Sequence, residues 1–262
     1  MKKTPIQGLG TALKTLTLIP WSSKNADNFS LSLPWFPVVG LLLGFVLYGI
    51  SLLGSMAPIP AWPAGMAVLI VALEVFLTRG LHLDGLADWA DSIGGFRERE
   101  KRLAIMKDVS LGAFGSLALI LVLLVKWVAL VRIISSGSII WLPVIFAISR
   151  CMLVELITTL PYARKGQGMG KAFVEGASLG HRLTSHIICI VICLSLGPLG
   201  LALFISAGLM TGMFKMRCRH QFGGITGDLL GTANEMVEVI LLIMCAWAGG
   251  LLLSYTGWGW VF

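Results

Sequence analysis

The chain has 262 residues, of which 56% are hydrophobic and only 13% charged, with a mean hydropathy of +0.88. Soluble domains carry about 25% charged residues, so this balance excludes an ordinary water-soluble globule and points to a lipid environment. The formal net charge of +7 raises nucleic acid as a partner. Its distribution argues against that, because the basic residues fall in short blocks between apolar segments, as the positive-inside bias requires.

Residues 1–33 are polar, carry Lys2, Lys3, Lys14 and Lys24, and include a stretch, 9–19, that suits a short interfacial helix. No apolar stretch with a small-residue cleavage site opens the chain, so the first span, from about Trp35, is expected to direct insertion by itself. Apolar segments follow at about 36–57 and 62–78, joined by Pro58-Ile59-Pro60. A long charged segment, 79–112, precedes spans at about 113–134 and 139–159, which flank the turn Ser135-Ser136-Gly137-Ser138. A polar Gly/Lys/Arg segment, 161–183, leads to the apolar stretch 186–214, interrupted by Gly197-Pro198-Leu199-Gly200. A basic, Gly-rich segment, 215–232, comes before a final span at about 236–256.

All but three of the 20 lysines and arginines lie in the four polar segments, which are therefore expected to face the cytoplasm. Stretch 186–214 must then turn back on itself at the Gly-Pro break, with arms of about 14 residues that need their polar flanks to span. The expectation is an all-α, polytopic membrane helical bundle of about seven transmembrane segments, N-terminus in. Residues 1–262 form one integral membrane catalytic domain in this reading, with no repeat or soluble module. Oligomeric state stays open, a homo-oligomer included. The odd number of cysteines, five, offers no disulfide framework. Cys189 and Cys193 lie four apart without a third ligand and read as core packing.

The informative stretch is Gly80-Leu-His82-Leu-Asp84-Gly-Leu-Ala-Asp88-Trp-Ala-Asp91-Ser92. On a helix its aspartates sit at i, i+4 and i+7, within about 60° of one another. Carboxylates so close raise each other's pKa unless a cation offsets them, and hard oxygen ligands on a helix suit Mg²⁺. The alternative is a solvated acidic helix end, or pairing with Arg97, Arg99 and Arg102. His82 lies about 160° from Asp84 and reads as structural or supporting.

A second cluster reads Gly223-Gly224-Ile-Thr226-Gly-Asp228-Leu-Leu-Gly231-Thr-Ala-Asn234-Glu235-Met-Val-Glu238. Asp228 and Glu235 share a helix face, with Glu238 one turn beyond, and the glycines permit phosphate contact through exposed N–H groups. A helix N-cap at Thr226 or Asp228 is the simpler account. Lys107, Arg164, Lys165, Lys171, Lys215, Arg217, Arg219 and His220 suit a polyanion or the membrane surface equally. Lys126, Arg150 and Glu155 lie inside spans, where charge is costly; an Arg150–Glu155 or Lys126–Glu155 pair accounts for them as well as a functional role.

Carboxylates for a metal beside basic and glycine-rich phosphate contacts suit phosphoryl transfer. The residues also carry a resemblance. The segments 82–92, Met106-Lys107-Asp108-Val-Ser-Leu-Gly112-Ala-Phe-Gly115 and 223–231, with Pro34-Trp-Phe-Pro-Val-Val-Gly40 at the first span, resemble the cobalamin synthase family, the adenosylcobinamide-GDP ribazoletransferases. The resemblance covers nearly the whole chain; Val109 stands where serine is expected, with Ser110 beside it. It implies a Mg²⁺-dependent transferase in the cytoplasmic (inner) membrane of a prokaryote, its active site facing the cytoplasm. Adenosylcobinamide-GDP and α-ribazole, or its 5′-phosphate, would react there to give adenosylcobalamin, or its 5′-phosphate, and GMP.

On this reading Asp84, Asp88, Asp91 and Asp228 are the catalytic and Mg²⁺-binding set, Asp228 being a further ligand or the general base. Lys107, Arg219, Gly223, Gly224 and Thr226 contact substrate. One rival is a phospholipid synthase like the CDP-alcohol phosphotransferases, although their Asp-Gly-x-x-Ala-Arg pattern is missing: Asp84-Gly-Leu-Ala-Asp lacks the arginine. The other is an ion-coupled transporter, which would place acids near the middle of spans.

Overall fold

The computed structural model describes residues 5–21, 29–56, 58, 60–95, 98–166 and 168–258. Lys2, Lys3, Lys24, Ile59 and Arg97 of the sequence reading lie outside them. Among the described residues the structure is helical, and the one strand-like contact is an isolated bridge between Tyr162 and Ile225.

The short amphipathic α1 (Pro5–Leu16) comes first, at the place expected for an interfacial helix. A 3-10 turn, Phe29–Trp35, runs straight into α2 (Phe36–Ser55). α3 (Pro63–Thr78) meets α4 (Leu81–Ile93) at a bend of 89°. α5 (Arg99–Ile105) is short, and α6 (Ala113–Ser135) and α7 (Leu142–Thr159) are long. α8 (Met169–Glu175), α9 (Leu179–Ser195), α10 (Pro198–Gln221), α11 (Gly227–Ala248) and α12 (Leu251–Ser254) complete the order. Five helical stretches are long and apolar enough to cross a bilayer: Phe29–Ser55, Ala113–Ser135, Ser138–Thr159, Pro198–Gln221 and Gly227–Ala248. The bent pair α3–α4 makes a sixth if taken as one span, and α9 is a shorter apolar helix.

Helix α7 is the central post, with all but one of its residues from Leu142 to Ile157 buried. α2 lies against it through Gly40 and Gly44, where a Cβ would collide with backbone at Phe146 and Pro143. Small residues four apart allow this approach where water supplies no hydrophobic drive between helices. α4 crosses α11 in the same manner. A Cβ on Gly85 would stand 2.5 Å from the Asp228 carbonyl oxygen, and the Thr232 hydroxyl donates to the Gly85 carbonyl at 3.0 Å. Phe45, Leu53, Phe76, Leu121 and Val128 are exposed, as lipid-facing positions of such a bundle should be. All five cysteines are free and buried, Cys189 and Cys193 in the core.

Two sequence expectations need correction. The last long helix starts at Gly227 and ends at Ala248, not at about 236 and 256. Thr226 caps its start by accepting from the Leu229 N–H at 3.2 Å, and Gly249 breaks it at φ 54. The arms on either side of Gly197 have 17 and 24 residues, the apolar 14 of each being extended by polar flanks as the sequence reading requires. Arg150 and Lys126 do not pair with Glu155. Residues 150 and 155 lie about 140° apart around α7, and Glu155 instead meets Lys215 at 3.2 Å, His186 at 3.7 Å and Arg182 at 3.8 Å.

Candidate active site

The three aspartates of 84–91 lie on α4 as the helical spacing requires. The sharp α3–α4 bend follows from two successive residues in the left-handed region, Arg79 (φ 58) and Gly80 (φ 62). The second cluster begins at the start of α11, and the Gly85 crossing sets it directly against α4. The two segments therefore meet, although about 140 residues of sequence separate them. The Asp88 carboxylate lies in the fields of Asp228, Asp84 and Asp91, opposed by the Arg164 guanidinium. Arg164 pairs with Asp228, Nη2 to Oδ2 at 2.5 Å, and donates to the Met106 carbonyl at 3.0 Å. Among the described residues Asp84 and Asp88 accept no hydrogen bond and form no ion pair.

Asp91 has a different environment. Its two oxygens accept from the backbone N–H groups of Gly112 and Gly115, each at 2.8 Å. These groups open α6, where unpaired N–H donors and the helix dipole attract a carboxylate. Asp91 thus joins α4 to α6, while Asp84 and Asp88 beside it have no bond to any described residue.

A cavity of about 290 Å³ opens at this place. Asp84, Asp228, Lys107, Arg164 and Lys165 supply charge to its wall, and Phe36, Leu153, Ile157 and Phe173 supply apolar surface. Gly168, Gly170, Gly227 and Gly231 are also in the wall, and at Gly231 the α4 backbone comes close, a Cβ there standing 3.0 Å from the His82 carbonyl oxygen. His82 is a wall residue too; it is buried, and its Nδ1 lies 2.9 Å from Asn234 Nδ2.

The remaining expected contacts fall elsewhere. Arg219 is exposed in the last turn of α10 and is not part of the cavity wall. Gly223 and Gly224 turn the chain between α10 and α11 at positive φ. The Gly224 N–H bonds Cys218, and Ile225 pairs with Pro161 and Ala163 at 2.9 Å. They hold the 161–164 segment, and with it Arg164, against α11. Thr226 is fully buried as the N-cap. Lys107 lies in the wall, and the exposed Asp108 beside it accepts from the Ser110 backbone N–H at 3.0 Å, which holds its carboxyl below the usual range. Sequence reasoning included Arg164 among eight basic residues without singling it out; its place in a Gly-rich loop was the available signal.

Glu235 and Glu238 belong to another cluster, buried within the bundle together with Glu74 of α3. Their oxygens lie within 4.8 Å of one another, a spacing open to a metal. Lys126 of α6 occupies that position, its Nζ 2.6 Å from Glu74 and 2.7 Å from Glu235 and Glu238. Arg150 also pairs with Glu238. Glu74 went unnoticed in the sequence because nothing local to α3 marks it.

Residues 8–246 match the family model described as cobalamin-5-phosphate synthase. A protein of Chlorobium phaeobacteroides named adenosylcobinamide-GDP ribazoletransferase is 38% identical, covering 95% of this chain and 99% of its own length. Proteins of the same name from Chlorobium chlorochromatii and Syntrophobacter fumaroxidans are 43% and 41% identical, covering 94% and 90% of this chain and 97% of their own lengths in both cases. No solved structure matches the chain.

Proposed function

The chain belongs to the cobalamin-5-phosphate synthase family, and from that membership we propose that it joins adenosylcobinamide-GDP to α-ribazole or its 5′-phosphate. The products are adenosylcobalamin, or its 5′-phosphate, and GMP. The observation that carries the reading is the meeting of α4 and α11. It gathers Asp84 and Asp228 with Arg164, Lys107 and Lys165 in one cavity wall, and sets Asp88 in the field of the same acids.

The donor set fits Mg²⁺. Among the described residues Asp84 and Asp88 are unbonded carboxylates one helical turn apart, and in this crowd of acids Asp228 has a single ion-pair partner, Arg164. We assign the metal to Asp84 and Asp88, with Asp228 completing the set or acting as base, and Asp91 to holding α6 in place. Held by these carboxylates, Mg²⁺ would supply positive charge to offset the charge that builds on the transferring phosphate. Arg164, Lys107 and Lys165 would hold the diphosphate of the donor. The acceptor hydroxyl oxygen forms a bond to the phosphorus carrying cobinamide as the anhydride P–O bond breaks. GMP leaves with that electron pair, and a carboxylate not committed to the metal takes the hydroxyl proton. With the basic segments inside, the cavity faces the cytoplasm of the bacterial inner membrane, N-terminus in.

The test is GMP release by the purified full-length chain given the GDP-linked cobinamide and either acceptor, with EDTA and then Mg²⁺ added. Activity lost to EDTA and restored by Mg²⁺ is expected. Turnover of CDP-diacylglycerol in place of the GDP-linked donor would overturn the reading in favour of a phospholipid synthase.

A further inference from the structure

Asp84 forms part of the wall of two cavities. The second, of about 760 Å³, lies between α1, α3, α4 and α6, and shares Thr15, Leu81 and Asp84 with the first. Its body is aliphatic, with Val75, Leu119 and Leu123, and its cationic groups are Lys14 and Arg79.

Arg79 is the one described residue other than glycine with positive φ, at 58°. A side chain in that conformation costs on the order of 1 kcal/mol, and helices that end this way usually do so on glycine or asparagine. The guanidinium explains part of the exception: Nη2 donates to the carbonyls of Lys14 at 2.6 Å and Thr17 at 3.3 Å, tying the end of α1 to the end of α3. Its other nitrogens have no hydrogen-bond partner among the described residues, and the residue is exposed at the cavity.

A transfer between two substrates needs both at one set of ligands, and a ligand shared by two cavities provides that. The narrower cavity has three cationic side chains and the glycine-lined backbone, which suits the diphosphate of the donor. The wider one, with an apolar body and two cations, suits an aromatic-base nucleoside carrying one phosphate. Resting on the transferase reading above, we propose that the wider cavity seats the acceptor nucleoside, and that Lys14 and Arg79 grip a phosphate monoester on it. Asp84 then meets the donor from one side and the acceptor hydroxyl from the other. The enzyme selects the phosphorylated acceptor through residues of α1 and the α3 end.

Steady-state assays of GMP release by the full-length chain test this, with α-ribazole 5′-phosphate and α-ribazole as alternative acceptors. Lys14→Gln should raise KM for the phosphorylated acceptor about tenfold, the order expected for one charge-assisted contact. Its effect on the unphosphorylated acceptor should be at least several-fold smaller, and KM for the GDP-linked donor should change little. Leu123→Trp, which fills the cavity without touching a charge, should raise KM for both acceptor forms and not for the donor. Equal changes for the two acceptors in Lys14→Gln, or changes confined to the donor in either variant, would overturn the assignment while leaving the transferase intact. A wild-type chain that releases no GMP with either acceptor would overturn the functional reading, and the cavity assignment with it.

Discussion

The same helices carry two crowds of carboxylates with opposite arrangements. At the start of α11, Asp228 lies beside Asp84 and Asp88 of α4, at the edge of a cavity that Asp84 and Asp228 line, with Arg164 as the one ion-pair partner among the described residues. Two turns further along α11, roughly 10 Å by helical rise, Glu235 and Glu238 meet Glu74 around Lys126, with Arg150 added. Side chains in the second group are 6% exposed or less. The buried crowd holds its own cations because nothing else offsets charge in a dry interior. In the open crowd only Asp228 is ion-paired among the described residues, to Arg164, while Asp84 and Asp88 are not, and those two carboxylates read as a place kept for something that binds. The acids inside the spans are those an ion-coupled transporter would need, but the Lys126 ammonium already stands among their oxygens.

The largest effect should come from the open cluster and fall on activity alone. Asp84→Asn is expected to reduce GMP release by roughly three orders of magnitude, as loss of a group acting on developing charge does, with thermal unfolding in detergent nearly unchanged. The partly exposed position makes a stability change beyond about 0.5 kcal/mol unexpected. A variant with normal turnover would remove the open cluster from the chemistry.

The buried cluster should respond in the opposite sense. Lys126→Met leaves three buried glutamates facing one another, and breaking such a set by removing one partner costs about 3–5 kcal/mol. Reduced yield and a lowered unfolding temperature are the expected result. A stable Lys126→Met protein that had lost only turnover would mean the cluster belongs to the reaction, and the contrast between the two crowds would fail.

How much of this was legible in the sequence follows the range of each interaction. The shared face of Asp84, Asp88 and Asp91 is local and could be read from a 3.6-residue period. Asp228 could be read from its glycine and threonine neighbours. The partners could not. Asp91 turns to Gly112 and Gly115, more than twenty residues away, and no periodicity announces a cap taken from another helix. Glu235 seemed to continue the face of Asp228, but two turns of helix carry it from the cavity into the bundle. Lys126 and Arg150 were recognised as costly charges, yet their partners come from α3 and α11, not from the nearby Glu155. The glycines at 223 and 224 were read as phosphate contacts, but their work is to place the 161–164 segment. In each case the residue was visible, and its partner was set by how the helices cross.

An intermediate effect is expected where the open cluster is assembled. Gly85→Ala puts a methyl 2.5 Å from the Asp228 carbonyl oxygen, so α4 must move away from α11. Overpacking of this kind costs about 1–3 kcal/mol, and the separation of Asp88 from Asp228 should lower turnover as well. Unfolding temperature and GMP release should fall together, unlike the Asp84→Asn result. If only stability fell, the crossing would be a packing detail and the joint use of α4 and α11 would lose its support.

The smallest effect separates the aspartates of α4 from one another. Asp91→Ala removes the acceptor for the Gly112 and Gly115 N–H groups, and loss of such a cap costs about 1 kcal/mol. The half-buried Gly112 N–H can turn to water, whereas the buried Gly115 N–H is left without an acceptor. Turnover should fall far less than in Asp84→Asn, because the ligands Asp84 and Asp88 stay on their own helix. Asp91→Asn should recover part of the stability, since an amide oxygen still accepts one of the two bonds. If Asp91→Asn matched Asp84→Asn in its loss of GMP release, the carboxylate charge itself would be in use. Asp91 would then have to be counted with the open cluster as the spacing on α4 first suggested, and its bonds to α6 would be the means of orienting it.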